Sequence, residues 1–381
     1  MLLAIEVIFW VSIFVILYSY FFYPFILAIL ARFFSTPVKC SDNYLPSIGV
    51  LVPAYNEESV IEKKIINILS IDYPADKLSV WVGSDCSTDR TEEIVSAYDD
   101  QRVHLWRAPE RGGKTGVLNG LAPVIDAEIV LFTDANTMHR PDSLRAIVRN
   151  FADPKVGGVA GHIEHALAEE KENAETLYRS FESKQKYMEG KLHSTISAFG
   201  GFYALRKELF SAIPKNAYSN DDVLIPMNTV RKGYRVIYEP EAISEEDFTE
   251  KISSEFSRRV RIGAGNFQAF FWLRDFLNPF LGWPWFCFFS HKVTRWFSPH
   301  FFILAAFSST LLFFATDMTL YRVIYSTAAV FMLSGIAYRI FPLRICRHIF
   351  YFLTMNCALF LGFIRFISGI QSAAWSRTER G

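Results

Sequence analysis

Ile129-Val-Leu-Phe-Thr-Asp-Ala-Asn136 decides how the chain is read. Four apolar residues and a Thr make a strand of the kind buried on both faces, and it ends in a short acidic turn. In open α/β sheets ligands lie beyond the carboxyl ends of the strands, so Asp134 and Asn136 are expected to project into a ligand crevice. Two oxygen ligands two residues apart suit a hard divalent cation that also holds phosphates. Taken alone, the string reads more simply as a strand-ending turn with no ligand. Its company changes that.

Upstream, Ser47–Pro53, Leu78–Gly83 and Val103–Arg107 read as further strands, separated by helices opening at Asn56 and over Thr91–Tyr98. Strand and helix alternating at short spacing predicts βαβ units and a largely parallel sheet, an α/β fold. Downstream, the pattern predicts strands at Val156–Gly161, Phe199–Leu205 and Arg235–Tyr238, and helices over Glu169–Leu192 and Asp222–Arg231.

Further outward the composition changes. The chain is 51% hydrophobic and carries 36 Phe, yet Glu6 is the one charge in residues 1–31, whereas charges run throughout Asn43–Arg261. This predicts a water-soluble domain (43–262) between membrane segments. Residues 1–32 form one crossing, since about 20 apolar residues span the hydrocarbon. Lys and Arg follow that segment and none precedes it, which places the domain in the cytosol by the positive-inside rule. Residues 263–297 are rich in Phe and Trp but broken by Arg274, Asp275, Lys292 and Arg295, and read as amphipathic helices at the interface. Three further spans are expected within 298–370, then a tail, 371–381. Net charge is +0, so nothing in the global balance argues for nucleic acid. Five Cys without metal-like spacing fit a reduced compartment.

Four segments carry chemistry. Pro53-Ala-Tyr-Asn-Glu-Glu58 follows the first strand, where backbone N–H groups with polar side chains suit a nucleotide's ring and ribose. Asp85 closes the second strand and faces the same crevice as Asp134. Arg111-Gly-Gly-Lys114 puts a cation on a flexible turn, as a diphosphate needs. Ser219-Asn-Asp-Asp222 supplies acids that read equally as first-turn helix residues. His162-Ile-Glu-His165 has a metal-pair look but falls on a strand and loop, which favours a structural or acceptor-side role over zinc.

In order and spacing, these segments resemble the family 2 inverting glycosyltransferases of the GT-A fold. The likeness is strongest to the membrane-embedded branch of cellulose, hyaluronan, chitin and poly-N-acetylglucosamine synthases. The resemblance implies a Rossmann-like domain that transfers a hexosyl or N-acetylhexosaminyl group from a nucleotide-sugar, UDP-linked, to a growing extracellular polysaccharide or, without processivity, to a lipid acceptor. It implies donor contacts from Pro53, Tyr55, Glu57, Asp85, Lys114, Asp134, Arg258 and Arg261. Mg²⁺ or Mn²⁺ would be held by Asp134 and Asn136, where the family usually has two Asp. Asp222 would be the general base. Phe199, Gly200 and Gly201 would form the acceptor-side turn. Ile262 stands where the processive synthases keep a Trp that stacks on the acceptor sugar, which encourages the lipid-acceptor alternative. An inactive partner of a synthase is a third reading, supported only by Asn136. Trp375–Arg380 is similar to tail motifs that fold over the nucleotide. The expected setting is a bacterial inner membrane, with a homo-oligomer or export partner compatible with so few spans.

Overall fold

The computed structural model describes residues 1–165, 174–246, 252–338, 340 and 343–370. Its centre is an eight-stranded sheet: β1 (Ile48–Ala54), β2 (Leu78–Ser84), β3 (Val103–Arg107), β4 (Ile129–Phe132), β5 (Thr137–His139), β6 (Val156–His165), β7 (Tyr203–Arg206) and β8 (Arg235–Glu246). The order is β3-β2-β1-β4-β7-β6-β8-β5. Strands β3, β2, β1 and β4 are parallel, as is the β6–β8 pair. All seven residues of β1 are buried, as its unbroken apolar run requires of a strand covered on both faces. The mostly parallel sheet agrees with the sequence reading.

Strand β7 is the informative exception. It runs antiparallel to β4, with Phe132 opposite Tyr203. The residues entering β7, Phe199–Gly201, therefore meet the residues leaving β4, Asp134–Asn136. Two segments some 65 positions apart become one edge of the crevice by this pairing. Strand β8 extends well beyond Tyr238, and Glu246 pairs with Thr137 of the short β5. Neither β5 nor that extension carries an alternating pattern long enough to have been read in advance.

The helices are α1 (Leu2–Phe33), α2 (Ile61–Leu69), α3 (Thr91–Ser96), α4 (Gly113–Leu121), α5 (Ser143–Val148), α6 (Ala174–Leu192), α7 (Asp221–Arg231), α8 (Ile252–Trp272), α9 (Trp283–Ala315), α10 (Thr319–Ala337) and α11 (Arg344–Ile367). Helix α2 begins five residues later than Asn56 suggests, because Asn56 sits at φ 56° in a left-handed turn. Four helices, α1, α9, α10 and α11, are long and apolar enough to cross a membrane.

Residues 263–297 fall on two helices rather than forming a separate unit. Phe267–Trp272 ends α8, and Trp283–Phe297 is the first half of the 33-residue α9, continuous through a π turn at Phe288–Val293. The charges that seemed to forbid a span, Lys292 and Arg295, are buried against the domain rather than exposed to lipid. They pair with Glu182 of α6 at 3.1 and 3.2 Å. Helix α8 joins the two regions. A Cβ on Gly362 of α11 would come within 2.7 Å of the backbone of Gly263 and Ala264, so α8 and α11 touch main chain to main chain.

Candidate active site

The crevice lies at the carboxyl ends of β1, β2 and β4, where a sheet of this order leaves an opening. Asp134 ends β4. Beneath its turn lies Lys64 of α2, fully buried, which donates from Nζ to Thr133 Oγ1 at 2.9 Å and to the Thr137 carbonyl. Burial pulls the Lys64 ammonium down to about 7, partly offset by the charge of Asp134. Nothing in the sequence singles out Lys64, since its position on α2 resembles that of any surface lysine.

Lys114 lies at the middle of the site. Its Nζ is 3.0 Å from Asp134 Oδ1 and 3.2 Å from Asp221 Oδ2, and it donates to the Gly200 carbonyl at 3.2 Å. Burial would lower its pKa, but Asp134, Asp221 and Asp222 raise it further, so the ammonium stays charged. One cation thus ties together the strand-end turn, the glycine turn and the start of α7.

Asp85 is fully buried, and its carboxylate accepts from Gly112 N at 2.8 Å and from Gly113 N at 3.0 and 3.1 Å, with the Arg111 guanidinium 4.0 Å away. The backbone amides at the start of α4 take up its oxygens. Asp85 holds the turn that carries Lys114. Tyr55 packs its ring 3.8 Å from the Arg111 guanidinium carbon. Pro53 and Glu57 are buried at the start of this wall.

Asp222 opens α7. Pro226 lies four residues on, so the Asp222 carbonyl has no helical N–H to accept. It accepts instead from Ala198 N at 2.7 Å, which binds the Phe199–Gly201 turn to the helix start. A Cβ on Gly200 would stand 3.8 Å from both Asp222 Oδ2 and Lys114 Nζ, and one on Gly201 would meet Thr137 Oγ1 at 2.6 Å. The second glycine is required by this closeness; the first keeps a lane open beside the carboxylate. Burial, then the neighbouring Asp221 charge, pushes Asp222 up to about 6, with Lys186 and Lys114 pulling the other way. A carboxylate poised there is mostly ionised at neutral pH yet basic enough to take a proton.

Asn136 donates through Nδ2 to Glu246 Oε1 at 3.4 Å. The charge that Asn136 lacks is therefore present beside it, on a residue that sequence reading missed because β8's extension brings it there. Asp134, Asn136 and Glu246 carry oxygen atoms of the hard kind that Mg²⁺ or Mn²⁺ takes, while among the described residues no three acids or histidines cluster as a metal site, and Lys114 and Arg179 stand 3.0 and 3.6 Å from Asp134 and Glu246. His162 accepts or donates at Nδ1 with Tyr238 OH at 2.6 Å, which is a structural pairing; the side chain of His165 lies outside the described residues, as does the tail motif.

A cavity of about 580 Å³ is lined by part of this set, without Tyr55, Asp85 or Asn136. Lys114, Asp134, Gly200, Asp222, Arg258, Arg261 and Ile262 line one part; Trp296 of α9 and Phe352, Met355 and Leu359 of α11 line another. Trp296 thus lines the same cavity as Ile262.

Residues 49–213 match the family model described as glycosyl transferase family 2. The sheet described above is that of the GT-A fold, and the matched segment, somewhat under half of the chain, is similar to glycosyltransferases of that family. Among solved structures, it is similar to a mannosyltransferase of Pyrobaculum calidifontis in complex with GDP-Man and Mn²⁺. The two are 25% identical with a TM-score of 0.73, covering 96% of this chain and 99% of that one. Among curated proteins, it is 38% identical to a beta-monoglucosyldiacylglycerol synthase of Nostoc sp. over 34% of this chain and 28% of the relative. It is 26% identical to the poly-beta-1,6-N-acetyl-D-glucosamine synthase of Staphylococcus aureus over 65% of this chain and 62% of that protein. The matched part therefore spans less than two thirds of either curated relative.

Proposed function

We propose that this chain is a membrane-bound glycosyltransferase that moves a sugar, with inversion, from a nucleoside diphosphate sugar to a lipid-borne acceptor. The observation that carries this reading is this cavity. It runs from the Asp134–Lys114–Asp222 cluster to residues of two helices apolar enough to cross a membrane. An acceptor that spends its life in a bilayer can present its polar end to Asp222 through such a cavity without leaving the lipid.

In this reading Asp222 takes the proton of the acceptor hydroxyl as its oxygen bonds to the anomeric carbon, while the bond from that carbon to the diphosphate breaks and its electron pair leaves with the phosphate. Lys114, Arg258 and Arg261 meet the diphosphate; Tyr55 and its neighbours border the nucleotide, and Asp85 acts through the turn it holds. Asp134, Asn136 and Glu246 would hold a divalent cation, Mg²⁺ or Mn²⁺, which when bound would supply charge stabilisation for the departing diphosphate. Phe199 to Gly201 border the acceptor. The distribution of Lys and Arg around the spans supports a cytosolic domain on a bacterial inner membrane.

The polysaccharide reading has one specific observation behind it. Trp296 lines the same cavity as Ile262, which supports an aromatic residue serving a sugar although the expected position lacks one. The experiment is to supply the detergent-purified chain with UDP- and GDP-sugars and Mg²⁺ or Mn²⁺, reading nucleotide release and product size against added lipid extract. Release that needs lipid and gives a single-sugar product supports the proposal. A ladder of long products moves the chain to polymer synthesis, and no release with any donor or acceptor sinks the enzymatic reading.

A further inference from the structure

Helix α11 meets its neighbours differently from the other long apolar helices. Helices α1 and α9 run together: Tyr20 OH and Ser298 Oγ are 3.2 Å apart, and Phe9 shares a buried cluster with Leu312. Between those contacts α1 advances about 16 Å and α9 about 21 Å, as two helices side by side across one bilayer do. Helix α11 instead meets α9 at one level. Phe352 packs on Phe302, Asn356 accepts from Ser298 Oγ at 3.3 Å, and Phe360 and Phe363 flank His300. Phe352 to Phe363 covers about 16 Å of helix, whereas Ser298 to Phe302 covers about 6 Å. Two helices with that pattern cross steeply. On α10 the contacts are confined to its final turns: Phe331 with Phe352, Gly335 against Ile349 and Leu353, and Tyr338 with Phe350.

The helix that α11 does accompany is α8. Gly263 approaches Leu359 and Gly362, Phe267 packs on Phe363, and Phe271 packs on Phe366. The two advance nearly residue for residue, so α8 shares whatever direction α11 takes. Helix α8 carries Arg258, Arg259 and Arg261, and it is not among the helices apolar enough to cross. Those arginines lie level with the middle of α11, since Arg258 and Arg261 line one cavity with Met355 and Leu359. Taking α11 across the hydrocarbon would draw α8 in beside it and bring three guanidinium groups to membrane depth. The surface of α11 fits another placement. Ala358 and Gly362 are buried, whereas Cys357, Leu361 and Ile364, at i, i+4 and i+7, form an exposed apolar stripe flanked by exposed Ile345 and Ile367. A helix lying in the interface has one apolar face toward acyl chains and its other side covered or solvated.

We propose that α11 does not cross the bilayer but lies in its plane on the side of the domain, with Cys357, Leu361 and Ile364 resting on the boundary between headgroups and acyl chains. Helices α1, α9 and α10 are then the crossings, and α11 closes the domain-side end of their bundle. This stands apart from what the site transfers. For a lipid acceptor it has one consequence: Phe352, Met355 and Leu359, which line the cavity, sit at headgroup depth, so a lipid's polar end meets the cavity from the side.

The first test needs no substitution. The full chain is placed in a bacterial inner membrane with green fluorescent protein, or alkaline phosphatase, joined after Gly381. Green fluorescent protein is bright only in the cytosol and the phosphatase active only outside it. Cys40, exposed on the domain, reports the domain's side through an impermeant maleimide applied to spheroplasts and to inverted vesicles. We expect the reporters to place the chain end on the same side as Cys40; the opposite side overturns the proposal. The second test measures depth by spin-label relaxation in nanodiscs. A label on Cys357, at the middle of the 24-residue α11, is compared in a Cys40→Ser/Cys86→Ser chain with one at Phe307→Cys on the lipid-exposed face of α9. A crossing helix carries its middle about 15 Å deep, half the hydrocarbon thickness, whereas an in-plane helix lies about 5–10 Å in. The Cys357 label should be the shallower of the two. Equal depth at Cys357 and Phe307 overturns the proposal, and neither readout depends on sugar transfer.

Discussion

The two ends of the cavity are built by opposite means. At the donor end, polar side chains stand on strand termini and helix starts, each carried by its own short turn, and backbone amides or one central lysine satisfy them. At the membrane end, the groups come from α6, α9 and α11, with Glu182 paired to Lys292 and Arg295, 110 and 113 positions away. The donor end is a local design repeated at each strand end. The membrane end exists only because α8 and α11 pack at Gly263 and Gly362 and α9 lies against α6. Charge is handled differently as well: Lys114 has acids on several sides, whereas Glu182 has cations on several sides.

The largest expected effect is at the boundary between the two. Asp222→Asn should lower kcat by about a thousandfold, in the usual range for loss of a general base, with nucleotide affinity within a few-fold by calorimetry. The same variant should melt at a higher temperature at pH 7. Asp222 has a folded pKa of about 6, above the value near 3.9 of an unfolded chain, so its ionisation costs stability as pH rises through that window. A variant that lost activity and melted lower would mean that Asp222 is mainly a structural residue.

At the membrane end, Glu182→Gln should destabilise the chain by roughly 3–5 kcal/mol, because Lys292 and Arg295 would remain buried without their counter-charge. Thermal unfolding in detergent reads this. A small change would mean that water or lipid reaches these cations readily and that the contrast between the two ends is overstated.

The pH profile separates the ends without mutation. Activity requires ionised Asp222, so kcat/KM should be flat above about pH 6 and fall roughly tenfold per unit below it. Glu182, held far below the usual range, should add no second inflection in that region. The smallest effect is expected from Asn136→Asp, which adds a carboxylate beside Glu246 and should tighten Mn²⁺ binding by a few-fold. A weaker Mn²⁺ site would argue that Asn136 serves Glu246 rather than the cation.

Much of the donor end was legible in advance because its chemistry is tied to local signals. A buried apolar strand must end in something that turns, and Asp134, Lys114 and Asp222 each follow such an end or begin a helix. Asp85 shows the limit of that logic. Its place at a strand end was right, but whether its carboxylate faces solvent or the amides of Gly112 and Gly113 depends on where α4 starts in space. Lys64, Glu246, Lys186 and Glu182 carried no local signal at all. A lysine on an amphipathic helix looks the same whether it is solvated or buried under Thr133.

By itself the sequence determined the alternation of strand and helix, the division into a charged domain and apolar flanks, and the acids and cation at the strand ends. Each of these follows from periodicity or from the chemistry of a few adjacent residues. The tertiary structure alone decided that β7 runs antiparallel, which sets Gly200 and Gly201 against Asp134, and that Trp283–Phe297 belongs to a long helix rather than lying on the surface. It also decided that Lys292 and Arg295 face Glu182. The physical reason is that burial of a charge is tolerable only where a partner from a distant part of the chain meets it, and no window of sequence contains both partners.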